Sequence, residues 1–252
     1  MAVTIRAMDD GDGDWGAAPA DVAAVAISVA RCFPVFGHED ELAITLRPMT
    51  SGPMTVQDAS LPVGEAVVWL STHGTVWAQL AYQFAHEFCH VIADPRTLPW
   101  DRFLWLEEAL CETASLYALR CMARSWAVEP PYWNWRDYSV ALEGYAAERM
   151  SESARRLPAG TSFHAWLSGR LPLLEQDADR REDNAVVASQ LLPIVEAEPT
   201  VWQAVRHLHA WPRAPAVTLS QFFDGWAAAC PSDSRHGAEA LARVLNSSPS
   251  SR

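Results

Sequence analysis

The chain has 252 residues, 50% hydrophobic and 20% charged, enough to bury a large core and too apolar for disorder over most of its length. A formal net charge of −12 opposes nucleic-acid binding, which needs a positive field, and docking on an anionic membrane surface. All 19 basic residues are arginine, so a lysine nucleophile or Schiff base is excluded.

In chain order, residues 3–6 alternate weakly and read as a first strand. Residues 11–19 form a Gly/Asp/Pro loop. Residues 20–33 read as a helix with Asp21 in its first turn and Pro34 to Gly37 ending it. Residues 41–47 alternate, with Leu42, Ile44 and Leu46 apolar, as a half-buried strand does. Residues 48–62 are rich in turn formers and read as loop. Residues 65–70 are a compact β-favouring run between Gly64 and Ser71. From Thr75 the pattern turns helical. Residues 77–93 contain neither Gly nor Pro and stop before Pro95, and residues 103–126 form a second long helix. Pro130, Pro131 and the cluster Tyr132, Trp133 and Trp135 break the chain. Further helices are expected over 137–157, 163–167, 183–197, 200–209, 220–229 and 237–245, with a frayed tail from Ser247.

No run of 18 or more apolar residues is present, so no membrane-spanning helix is expected. The apolar stretch Val22 to Ala30 is short and follows five aspartates, which does not resemble a secretion signal. Five scattered cysteines, Cys32, Cys89, Cys111, Cys121 and Cys230, contain no CxxC pair. They suggest buried thiols and a cytoplasmic location. Most of the twelve tryptophans sit among apolar neighbours and read as core.

The segment His86-Glu87-Phe88-Cys89-His90 carries the chemistry. On a helix, residues four apart stand one turn above each other on one face, so both imidazoles can grip one metal ion. Glu87 lies beside that face, within reach of a metal-bound water. This is the H-E-x-x-H arrangement of two zinc ligands and a general base. A catalytic zinc needs a third protein ligand and an open position. Eighteen residues after His90 lies Glu108, within Trp105-Leu106-Glu107-Glu108-Ala109-Leu110-Cys111-Glu112, on the second long helix. Glu108 and Glu112 share a face. Cys89 and Cys111 fall inside these motifs but lack the spacing of a cysteine site, and read as packing. His207 and His209, two apart, point to different helix faces and make a poor ligand pair.

These two motifs resemble those of the gluzincin metallopeptidases, the thermolysin and aminopeptidase-like group. The resemblance covers about residues 65–120. It implies zinc held by His86, His90 and Glu108, Glu87 as general base, and Glu112 hydrogen-bonded to His86. The sequence departs from the family pattern at Ala109, where Gly is frequent, and at Glu107, where Asn is frequent, which leaves Glu107 as an alternative third ligand. The resemblance also implies that residues 65–70 form the rim of the cleft, with a peptide substrate pairing antiparallel to Val67, Val68 and Trp69. An oxyanion donor would come from later helices, with Tyr138, Tyr145, His164, His207 and His209 as candidates and Tyr145 favoured.

The expectation is therefore an α+β, zincin-like single domain over 1–252, with a strand-bearing lobe at 1–74 and a helical lobe at 75–252. The expected function is a zinc-dependent peptidase acting on a peptide or protein substrate. The alternatives are a catalytically silent scaffold that binds or regulates, and a dedicated hydrolase for one modified peptide. Neither nucleic acid nor membrane is an expected partner.

Overall fold

The computed structural model describes residues 2–35, 41–56, 60–94, 102–211 and 217–246. The expected end of the first helix at Gly37, the break at Pro95 and the tail from Ser247 lie wholly or partly outside them. The fold is α+β, and among the described residues no helix is long and apolar enough to cross a membrane.

The chain forms two compact units, Met1–Thr97 with Ala114–Met150, and Leu98–Thr113 with Ser151–Arg252. The first unit holds a four-stranded sheet of β1 (Ala2–Ala7), β2 (Glu41–Pro48), β3 (Met54–Val56) and β4 (Glu65–Leu70), in the order β1-β2-β4-β3. β1 and β2 are parallel, as are β2 and β4. A parallel pair needs a crossover, and α1 (Pro19–Ala30) supplies it between β1 and β2. Leu42, Ile44 and Leu46 of β2, as their alternation predicts, and Ala66, Val68 and Leu70 of β4 fill the buried face.

One strand departs from expectation. Residues 48–62 are not loop throughout, because Met54, Thr55 and Val56 pair antiparallel with Trp69, Val68 and Val67. This corrects the expected substrate position. The side of β4 along Val67–Trp69 is already paired, so β3, and not β4, lies at that end of the sheet.

The segment between β4 and the next helix is short and pinned. Gly74 takes φ +76°, which a side chain would oppose, and its N–H bonds the Trp15 carbonyl at 2.6 Å. α2 (Trp77–Ala93) follows, with the bounds its sequence predicts. Its first turn lacks a side-chain cap at Val76, but the Ala78 N–H donates to the Tyr138 hydroxyl at 3.3 Å. At its other end Asp94 adopts a left-handed conformation, φ 47°, and its N–H bonds the His90 carbonyl. Phe84 and Phe88 stack at 5.5 Å, both fully buried, and Phe33 packs edge-on against Phe88. Truncating either α2 ring to Ala would cost about 3–5 kcal/mol.

α3 (Leu104–Trp126) runs unbroken from one unit into the other. α4 (Tyr138–Ser151) completes the first unit and is shorter than expected, ending before a 3-10 turn at Ser153–Arg155. The second unit continues with α5 (Phe163–Leu174), α6 (Arg181–Ala197), α7 (Val201–Val205), α8 (Leu219–Ala229) and α9 (Arg235–Asn246). α5 extends past its expected end at Leu167, through Pro172 in its last turn. α8 opens with a reciprocal capping box between Thr218 and Gln221.

Candidate functional site

α2 has one open stripe. Gln79, Tyr82, Gln83, His86 and His90 are exposed or half-buried, while the rest of the helix after it enters the core is buried. The spacing of three and four residues keeps this stripe on one face. His86 and His90 thus lie side by side, with ring centroids 5.2 Å apart and ring nitrogens within 4.8 Å. Just upstream, the Ser71 N–H donates to Gln83 Oε1 at 3.0 Å and Gln83 Nε2 donates to Ser71 Oγ at 3.1 Å, tying the end of β4 to the same stripe.

Glu87, one position on from His86, is turned into the protein and only 4% exposed. Burying a carboxylate demands a donor. Thr55 supplies it, its Oγ1 donating to Glu87 Oε2 at 2.8 Å. The same hydroxyl also lies 3.2 Å from the Glu87 carbonyl. The end strand β3 is thereby latched to the carboxylate of the motif. Sequence reasoning missed Thr55 because it sits among turn formers; the β-favouring Thr-Val step was the available signal.

Tyr145 lies in the same unit, half-buried on α4. Its ring meets Tyr82 edge-on at 5.9 Å, and the Arg149 guanidinium lies 5.4 Å over it. Tyr82 stands one helical turn before His86. The Tyr138 hydroxyl is engaged at the start of α2, accepting from Ala78 and donating to the Thr75 carbonyl at 3.4 Å.

In the second unit, the first half of α3 carries Glu107, Glu108, Cys111 and Glu112. The neighbouring carboxylates are placed differently. Glu107 is buried, and His209 Nε2 lies 2.7 Å from its Oε2. Glu108 is half-buried. Glu112 accepts a hydrogen bond from Arg155, whose buried guanidinium also donates to Glu152 Oε2 at 3.2 Å. The sequence named neither His209 nor Arg155 as a partner for these glutamates. Nothing local signals such pairings, since the residues lie 102 and 43 positions apart. Cys111 is fully buried, as is Cys89 in the first unit. Burial, then the charge of Arg206, holds His207 below the usual histidine range. His164 is half-buried on α5.

Compared with known proteins, the chain matches no family model, no curated protein and no solved structure.

Proposed function

We propose that the protein is a zincin-like, zinc-dependent hydrolase of peptide bonds, with His86, His90 and Glu108 as metal ligands and Glu87 as general base. The observation that carries this reading is the division on α2. Two imidazoles stand together on the open stripe, while the intervening carboxylate is turned inward and held by Thr55. Two nitrogens each about 2.0–2.1 Å from a tetrahedral zinc lie about 3.3 Å apart. Ring nitrogens within 4.8 Å of each other fit that requirement after small side-chain rotations.

The later half of α3 packs beside α2 in the first unit. Trp135 packs against both Trp77, the first residue of α2, and Trp126, the last of α3. Ser115 Oγ donates to the Tyr82 carbonyl at 2.9 Å. The two helices therefore run in opposite directions from a shared end. Glu108 holds the third-ligand position of the two-motif pattern, and Glu107, whose Oε2 lies 2.7 Å from His209 Nε2, is the alternative. Cys111 is a second candidate donor, favoured by the affinity of thiolates for zinc.

When bound, the ion would supply a Lewis acid that polarises a carbonyl and acidifies water. Glu87 takes the proton lost by water as it attacks, at Oε1, since Thr55 holds Oε2. It then delivers that proton to the leaving amine. Tyr145, packed one turn from His86, is the proposed donor to the developing oxyanion. An extended peptide would pair along the outer side of Met54–Val56 at the end of the sheet.

The test is elemental analysis of protein purified without added metal, together with cleavage of a peptide library. Wild type should carry stoichiometric zinc and cleave, His86→Ala should lack metal, and Glu87→Gln should keep metal and lose cleavage. Equal metal content in wild type and His86→Ala would overturn the site. Metal without cleavage of any peptide would favour a silent binding scaffold.

A further inference from the structure

We propose that Cys32 and Cys121 form a peroxide-oxidisable dithiol, with Cys121 as the attacking thiol and Cys32 as the resolving one. The pair lies in the first unit, in elements distant in sequence. Cys32 sits in the turn that closes α1, and Cys121 on the later half of α3. Two contacts fix Cys32 against α3. The Tyr117 hydroxyl donates to the Cys32 carbonyl at 3.1 Å, and Cys32 Sγ lies 3.9 Å from the Ala118 carbonyl oxygen. Cys121 follows Ala118 by three residues, on the same helix face, which sets its side chain beside the Cys32 thiol, itself donating to the Ser28 carbonyl at 3.4 Å. Both cysteines are free of disulfides.

The two thiols are unlike. Cys121 is half-buried, beside the exposed Arg124. The neighbouring Cys32 thiol, and then the Arg124 charge, bring its pKa below the ordinary cysteine value. Cys32 is 6% exposed, and the neighbouring Cys121, together with burial, pushes its own pKa up. Oxidant-sensitive cysteines combine thiolate character with access and a resolving neighbour. The other cysteines lack one or both properties. Cys89 and Cys111 are fully buried, and burial pushes Cys230 up to about 11.

The chemistry balances with a hydroperoxide as oxidant. The Cys121 thiolate attacks the terminal peroxide oxygen, the O–O bond breaks, and the peroxide is reduced to an alcohol, or to water for hydrogen peroxide. Cys121 becomes a sulfenic acid. The Cys32 sulfur then attacks the Cys121 sulfur, the S–S bond forms and the S–O bond breaks. Hydroxide leaves and takes the Cys32 proton, giving water. The product ties the end of α1 to α3, and a dithiol reductant reverses it.

The test treats purified wild-type protein with a few equivalents of hydrogen peroxide, then maps disulfides and sulfenic acids by mass spectrometry. Wild type should lose two hydrogens and yield one cross-linked peptide pair containing residues 32 and 121, restored by dithiothreitol. Cys32→Ala should stop at a sulfenic acid on Cys121 that dimedone traps, and Cys121→Ala should form neither product. Oxidation first at another cysteine, or no cross-link in wild type, overturns the proposal. The wild-type map is decisive even if a variant fails to fold.

Discussion

Thr55 Oγ1 stands 2.8 Å from Glu87 Oε2, so a hydroxyl on the end strand of the sheet satisfies a carboxylate buried on the neighbouring helix. Thr55→Val preserves the side chain's shape and removes the donor. A buried acceptor left unpaired costs about 1–3 kcal/mol. Urea denaturation should show a loss of that size for Thr55→Val and much less for Thr55→Ser. Equal stability of the Val variant and wild type would mean that Glu87 does not depend on this bond. Under the proposed function, Thr55→Val should also lower kcat more than it raises KM, because the base and not the substrate loses its anchor.

Much of this arrangement was legible in the sequence, and the reasons differ by element. β4 and α2 have the bounds that composition gives them, since a Gly/Ser frame and a following Pro mark their ends. The open stripe holding His86 and His90 follows from helical spacing alone. β3 was not legible, because three residues are too few to show alternation and their partner is set by tertiary pairing. The substrate edge was misplaced for the same reason. Buried pairs such as Glu107 with His209 are long-range outcomes of packing, invisible to any local pattern.

Glu112 and the buried Arg155 illustrate this in energetic terms. Removing one member of a buried ion pair leaves the other charged and poorly solvated, at a cost of about 3–5 kcal/mol. Glu112 is 15% exposed and Arg155 retains Glu152, so the lower end of that range applies. Glu112→Leu should lose about 3 kcal/mol in chemical denaturation, and Glu112→Leu with Arg155→Met should recover most of it. Strictly additive losses in the double variant would show that the two side chains are not coupled.

Two adjacent carboxylates allow the metal reading to be tested without touching the histidines. Glu107 is sequestered by His209, whereas Glu108 is half-buried. Glu108→Gln should therefore reduce bound zinc sharply, and Glu107→Gln should leave it near stoichiometric. The reverse order of metal loss would make Glu107 the ligand. Cobalt substitution separates the remaining alternative, since a cobalt–thiolate charge-transfer band that disappears in Cys111→Ser would place Cys111 in the ligand set.

Cys230 gives the fold a pH dependence at the alkaline end. Burial raises its pKa from the ordinary 9.0 to about 11, so the folded chain holds this proton more tightly than the unfolded one. The associated stability is fully present below pH 9 and is lost as pH rises through about 11. The chain has no lysine, which leaves cysteines and tyrosines as the main groups titrating in that window. Denaturation profiles from pH 8 to pH 11 should therefore fall more steeply for wild type than for Cys230→Ala. Iodoacetamide should modify Cys230 only toward the top of that range. Parallel profiles for the two proteins, or rapid alkylation of Cys230 at neutral pH, would show that its thiol is not held in the protonated form by burial.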